Sequence, residues 1–523
     1  MGSKTSSISV ERSRTGEDKI EIRVSEEKTL TSEQLSRHGL ELSVTDYVQW
    51  RKDCKDHPRN WSLWRKTYDT SVVMFLEFYT YKYDRSEEPQ MPSAAELTKG
   101  RYGSNILNLV AFSLMYQIGQ AIGGLIIPPC SELFGRRMPY IISCSVFSLS
   151  CLLVGLVPHI SAVFIGRFLS GLASAVPSVV ISGTVEDIFD SERRIWIVLL
   201  WNAAATAGLA FGPVYASCIS GVVSWRWIFH TAAIVTAITT ILIIGMRESR
   251  PSKLLRKKIN ILESEYPGVQ LKFHSADPFP DLESFIYTVI IRPSKMMVTE
   301  PILIIVSILS GISWGIIYLF SESITRAYIT LGLSRISATL PLLALVIGII
   351  IGVFPHIWDV HKIREKKRLN MQIQPEDTIM GFAFGTPALA AGLWWFYGTT
   401  PPVLWDAHWA IPTGGLVLIG LGVNEIAYTL SGYLTDTYTV YSASAFAGLA
   451  FVRALVSGIM PLIGYVLFNG KQSIVPGFVI AGVATAFCVV PFLFFRYGKR
   501  LRERSEFAKY SLDVHMRTQI GDD

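Results

Sequence analysis

Twelve long apolar runs limit what this chain can fold into. They fall at about Thr67–Tyr83, Asn105–Pro129, Met138–Val157, Ser161–Val185, Ile195–Ser220 and Trp227–Met246. After a polar stretch they resume at about Pro301–Phe320, Ile336–Trp358, Ile379–Tyr397, Ala407–Leu430, Ala443–Phe468 and Val475–Tyr497. A helix crosses the hydrocarbon core of a bilayer in roughly 20 residues. In lipid the backbone polar groups have no water to bond, so such runs must satisfy them internally as helices. The runs therefore predict an all-α membrane protein with twelve transmembrane helices in two six-helix halves. The expected division is a cytoplasmic segment over residues 1–65, a first half over 66–246, a central cytoplasmic loop over 247–300, a second half over 301–497 and a cytoplasmic tail over 498–523. The segment up to about Glu41 is polar and reads as disordered. Within the central loop, LLRKKINILESEYP reads as a surface helix.

Charge orients these spans. The net charge of +6 comes mainly from basic clusters at Arg136–Arg137, Arg193–Arg194, the central loop, Lys362–Arg368 and Arg496–Arg504. The loops after Val157, Ser220 and Tyr397 are nearly free of Lys and Arg, whereas the first outer loop mixes Lys82, Arg85, Lys99 and Arg101 with acids. By the positive-inside rule the basic loops and both termini lie in the cytoplasm, which leaves the sequon at Asn60 unmodified. The same distribution argues against a nucleic-acid surface, which needs a continuous basic face. Six cysteines without a CxxC pair predict neither a disulfide framework nor a zinc site. The sequence contains no HExxH, GxSxG or Walker motif, so no enzyme activity, catalytic residue, metal or cofactor is expected. Gly2 fits a loose myristoylation pattern.

Between the second and third runs stands SELFGRR, Ser131–Arg137. Gly135 permits a close turn there, and Glu132 offers a partner to Arg136 or Arg137. The two halves echo each other: PPCSELFGRR at Pro128–Arg137 has a counterpart in PHIWDVHKIR at Pro355–Arg364, and Gly212-Pro213 in span 5 is matched by Met460-Pro461 in span 11. Parallel repeats of this kind occur in secondary transporters.

With these motifs in place, the chain resembles the major facilitator superfamily, and within it the fungal twelve-span drug:proton antiporter-like branch. The resemblance covers about Asp56 to Tyr497. It rests on HPRNWSLWRK (His57–Lys66), SELFGRR, GRFLSGLASA (Gly166–Ala175), FGP (Phe211–Pro213), WRWIFH (Trp225–His230) and YLTDTYTVYSASA (Tyr433–Ala445) in their order on the spans. Pro128 stands where the family's loop motif starts with Gly, and Ala207-Gly208 where its span 5 motif has a further Gly-Pro. The resemblance implies that spans 1, 4, 7 and 10 line a central cavity, and that Glu132, Gly135, Arg136 and Arg137 form a conformational gate, with Glu132 and Arg137 as its latch. It also implies that Gly208, Gly212 and Pro213 form the span 5 motif.

An ionisable side chain deep in a span is costly, so it lines a cavity or has a partner. Glu77, Arg167, Glu322, Glu425 and Arg453 meet that description, and together with Asn424 they form the expected substrate and proton pathway. Arg167 is the expected counter-charge for a carboxylate such as Glu77. Trp314, Tyr318, Trp394, Asn424 and Tyr428 are candidates for a weakly polar aromatic pocket. His356, Asp359 and His361 read as a solvated loop at a span end. The leading function is proton-coupled efflux of a small organic molecule, such as a drug, toxin or secondary metabolite. The alternatives are transport of an organic ion, such as a polyamine or carboxylate, and a transporter-derived nutrient sensor. The expected partners are a small-molecule substrate, protons and the lipid bilayer, with no nucleic acid and the chain acting as a monomer. The expected location is the plasma membrane, with the vacuolar membrane as the alternative.

Overall fold

The computed structural model describes residues 32–42, 48–86, 110–266, 271, 283, 286–369, 371, 375–438, 441–468 and 475–509. Gly2, Lys99 and Arg101 lie outside the described residues. Spans 1 to 6 run over Leu63–Asp84, Val110–Phe134, Arg137–Leu156, Ile160–Ile188, Ser191–Val222 and Arg226–Ile244. Spans 7 to 12 run over Pro301–Thr330, Ser337–Lys366, Met380–Thr399, Ala410–Thr437, Ser442–Phe468 and Val475–Arg504. Ten of these are long and apolar enough to cross a membrane; the other two, spans 1 and 9, have 22 and 20 residues. At 1.5 Å per residue each of those two is about 30 Å long, which still spans the hydrocarbon core.

Several helices outrun their apolar runs. Span 2 continues past Pro128 and Pro129 to Phe134, so SELFGRR is mostly helix and only Gly135 and Arg136 separate it from span 3. Span 7 extends ten residues past Phe320 to Thr330, and span 8 passes Trp358 to end its last helical segment at Arg368. The second-half echo of SELFGRR has Lys362 in place of Gly135, and there the helix simply continues.

The packing repeats between halves. Span 2 packs on span 4, and span 8 packs on span 10. In the first half, a Cβ on Gly171 would overlap the backbone oxygen of Tyr116, and one on Gly119 that of Phe168. In the second half, Gly348 meets the backbone of Val417 and Gly420 that of Leu345 in the same way. Small residues let helix backbones approach closely where lipid supplies no hydrophobic drive for association. The halves meet through spans 2 and 11, 5 and 8, and 5 and 10. Ile142, Leu149, Ile238, Ile241, Ile350 and Phe492 are exposed and face outward, as lipid-facing positions do.

The basic end carries a small non-membrane layer. Ser32–Arg37 is helical, and Leu40–Leu42 pairs antiparallel with Val48–Trp50, so the expectation of disorder up to Glu41 fails over these residues. The reason is burial: Leu35, Leu40 and Val48 pack on Leu255, Ile259 and Leu262. Those three lie on the helix Pro251–Glu265, which matches the surface helix read from LLRKKINILESEYP. Trp50 Nε1 donates to the Pro251 carbonyl at 3.2 Å, and Lys258 pairs with Asp56 at 2.5 Å.

Candidate functional site

Arg167 is fully buried in span 4, seven residues in from the end opposite the basic loops. Its Nε donates to the Phe112 carbonyl at 2.7 Å, and its guanidinium lies over the rings of Tyr116 at 4.4 Å and Tyr83 at 4.6 Å. Its acidic partner is Asp84, at 3.7 Å. Glu77, the expected partner, lies two turns away along span 1. Asp84 Oδ2 also accepts from Gln117 Nε2 at 3.0 Å and from the Tyr318 hydroxyl, and Gln117 Nε2 reaches that hydroxyl at 3.1 Å. Arg85 stacks on the Tyr318 ring at 4.4 Å. Tyr318 belongs to span 7 and the others to spans 1, 2 and 4, so one carboxylate ties the two halves together.

Glu77 is buried nearer the basic end. It accepts from Trp201 Nε1 at 3.0 Å and Ser178 Oγ at 3.2 Å, from spans 5 and 4. Arg453 of span 11 lies over Trp314 at 5.0 Å, and Trp314 packs on Tyr81 at 5.4 Å. Trp314, Tyr318 and Tyr428 are thus buried at or near the interface of the halves. Trp394 is not: 45% exposed, it stacks on Phe478 and donates to Thr485 on the outside of the bundle. Glu322 lies on span 7 with its side chain outside the described residues.

Glu425 and Asn424 are fully buried near the middle of span 10. The Glu425 carboxylate lies 3.1 Å from His356 Nε2, and Asn424 Nδ2 approaches it at 3.5 Å. His356 and Asp359 are therefore not a solvated loop: they are 0% and 1% exposed on the last helical segment of span 8, Val353–Arg368.

At the basic end, Gly135 has φ +86°, and a Cβ there would overlap the Glu248 carboxylate. The buried ion pair belongs to Arg136, whose Nε meets Asp187 at 3.1 Å while its Nη1 donates to Ser131 Oγ at 2.8 Å. Arg137 instead donates to the Ile244 carbonyl at 2.5 Å. Glu132 lies on the wall of a 410 Å³ cavity that Arg136, Asp187, Arg250, Thr435 and Phe446 also line, so residues from both halves surround it. His57 is on the same wall; burial, then Arg59 and Lys66, hold its imidazole below the usual range, so it is neutral at neutral pH. Arg194 of span 5 and Asp436 of span 10 pair at 3.7 Å beside it. In span 5, Gly208 and Gly212 press on span 1: a Cβ on Gly212 would lie 2.7 Å from the Lys82 carbonyl oxygen. With ψ at 173° this backbone is open to little but glycine, so a Cβ costs about 1–3 kcal/mol, and the Glu248 overlap adds to it. Gly135→Ala is accordingly expected to lower the thermal unfolding midpoint of the purified protein, and an unchanged midpoint would count against this tight turn.

Sequence reasoning missed Asp84, because it ends an apolar run beside Arg85, Glu87 and Glu88 and so reads as loop. The signal for His356 and Asp359 was their spacing of three, which puts both on one helical face.

Comparison with known proteins agrees with this architecture. Residues 90–461 match the family model of the Major Facilitator Superfamily. The MFS-type transporter penM of Penicillium rubens is 28% identical, the match covering 90% of this chain and 93% of that protein. The efflux pump radE of Floropilus chiversii is also 28% identical, with 88% and 85% covered. The multidrug transporter TPO1_2 of Candida glabrata is 28% identical, with 76% and 69% covered. Among solved structures, the proton:xylose symporter XylE of E. coli shares the fold, with a TM-score of 0.58 at 14% identity over 84% of this chain and 96% of that one. The family model takes in most of the chain, and this protein belongs to the major facilitator superfamily of membrane transporters.

Proposed function

We propose that this multi-pass membrane protein is a proton-driven exporter of a small organic molecule, such as a drug, toxin or secondary metabolite, acting as a monomer in the plasma membrane. The observation that carries the reading is Asp84: a buried carboxylate in the first half, paired with Arg167 and holding Tyr318 of the second half. While Asp84 is ionised, Arg167 and Tyr318 both favour it, and the halves are held together at the end away from the basic loops. Protonation removes the charge that Arg167 attracts and weakens the bond from Tyr318, so the halves part there and the bound molecule leaves outward. A carboxylate whose charge state selects between two arrangements is what coupling requires. Glu77, with Arg453 and Asn424, serves the substrate and proton pathway. Glu132, Gly135, Arg136 and Arg137 with Asp187 act as the gate at the cytoplasmic end. The names of the relatives, an efflux pump and a multidrug transporter among them, support the outward direction.

The test uses inside-out vesicles and a fluorescent compound chosen from a growth-inhibition panel. Uptake should rise with an imposed acid-inside gradient and fall to the leak rate when an ionophore collapses it. Equal uptake in the two conditions would remove proton coupling.

A further inference from the structure

The second half contains a titratable cluster that the mechanism above does not use. His356 and Asp359 are one helical turn apart on span 8, and Glu425 faces them from span 10. His356 Nε2 is 3.1 Å from the Glu425 carboxylate and its Nδ1 is 3.7 Å from Asp359 Oδ2. All three are at most 1% exposed. His356 Nδ1 and both Asp359 carboxylate oxygens have no hydrogen-bond partner among the described residues. Span 9 brings two glycines against Glu425: a Cβ on Gly381 would lie 2.5 Å from Glu425 Oε2, and one on Gly385 2.7 Å from Glu425 Cβ. Gly352 of span 8 closes the third side, where an added Cβ would lie 2.6 Å from Glu425 Oε1. Span 10 adds the neutral groups Asn424, Thr429 and Tyr428, whose ring lies 4.1 Å from His356. Beyond Tyr428, toward the basic end, Arg194 and Asp436 already pair with each other.

The charge count decides what such a cluster holds. Two carboxylates and one imidazole carry a net negative charge even when the imidazole is protonated, and the lysine one turn on from Asp359, Lys362, is engaged by Asp377 at 3.3 Å. An uncompensated charge in a low-dielectric interior is strongly disfavoured, and the group binds a proton instead. The neutral state of the cluster is an imidazolium, one carboxylate and one carboxylic acid.

We propose that His356, Asp359 and Glu425 form a second proton-carrying site, in the half opposite Asp84, which holds one carboxylic-acid proton in addition to the imidazolium. Its role in transport rests on the proton-driven reading above. On release, the acid's O–H bond breaks, its electron pair stays on the carboxylate, and the proton passes to water. Rebinding reverses the step. The three glycines give the Glu425 carboxylate a close-fitting cradle whose walls are spans 8 and 9, so a shift of either span against span 10 changes its surroundings.

The test needs no substrate. The full chain is placed in lipid nanodiscs, and infrared difference spectra are recorded between neutral and alkaline pH, reading the carboxylic-acid carbonyl stretch. The wild type should show this band at neutral pH and lose it on alkalinisation. Glu425→Gln and Asp359→Asn should each remove the same one-proton component, because either variant leaves a single carboxylate already balanced by the imidazolium. His356→Gln should double the component, since two carboxyls are then left without a cation. A wild type with no such band, or variants that all keep it unchanged, would overturn the proposal. The first of these outcomes requires no variant to fold. A present band with gradient-independent transport would sink the driving-force reading and leave the site standing. A missing band with gradient-driven transport would sink the site and leave Asp84 as the coupling group.

Discussion

Arg167→Leu is expected to cost about 3–5 kcal/mol of stability, the range for breaking one side of a buried ion pair, and to abolish transport. Arg167 is fully buried and ion-paired with Asp84. Without it Asp84 keeps the donors Gln117 and Tyr318 but loses its counter-charge. The Phe112 carbonyl loses a 2.7 Å bond, and Tyr83 and Tyr116 lose the plane they stack on. Arg167→Lys should fall between, since an ammonium keeps the charge without the planar stacking of guanidinium. The combination Arg167→Leu with Asp84→Asn should recover much of the lost stability and none of the transport, because neutralising both ends removes the orphaned charge together with the titratable group. Thermal unfolding in mild detergent, read beside gradient-driven uptake, separates the two effects. A single variant as stable as the wild type would show that this pair does not hold the bundle, and a transporting double variant would remove Asp84 from the coupling step.

Gly171→Leu should prevent the first half from packing. At this crossing a Cβ already overlaps the Tyr116 carbonyl oxygen, and Gly119 makes the reciprocal approach to Phe168. Neither obstacle is the end of a flexible side chain, so the helices themselves must separate. Overpacking of ordinary cores costs about 1–3 kcal/mol, and here the strain falls on backbone. The matching change Gly420→Leu should do the same to the second half through Leu345. A fluorescent fusion followed by size exclusion should show both variants as aggregate or degraded chain, whereas Gly432→Leu, with nothing within 4 Å of its added Cβ, should elute like the wild type. A monodisperse Gly171→Leu protein would contradict the close contact.

The apolar runs made the architecture legible because lipid leaves a long apolar segment little choice but a helix. They were poorer guides to helix ends. The backbone bonds of spans 7 and 8 are local, so those helices carry polar residues on past the run that predicts them. Glu77, Arg167 and Glu425 stood out as ionisable residues in apolar surroundings. Their partners did not, since Arg167 and Asp84 lie 83 positions apart in the chain and His356 and Glu425 lie 69 apart. No pattern of spacing along the sequence encodes which helix faces which. Asp84 was further masked by the charges that follow it. His356 and Asp359 were judged with His361, whose spacing of five from His356 points elsewhere, when the relevant pair was three apart.

The strand pair seated on the helix Pro251–Glu265 has a consequence for how the chain is made. Leu40 cannot meet Leu262 until the ribosome has delivered all six spans that lie between them. The stretch of chain before the first span therefore has to wait, and the long loop it finally closes is the entire first half. Docking occurs at the membrane surface only when spans 1 and 6 have left both ends of that loop on the same side. An inverted or missing span would put Leu40 and Ile259 on opposite sides of the bilayer, with no route to each other. The clasp can therefore form only on a first half whose two ends share one side, and its partner helix is complete before Pro301, the first residue of span 7, has been added.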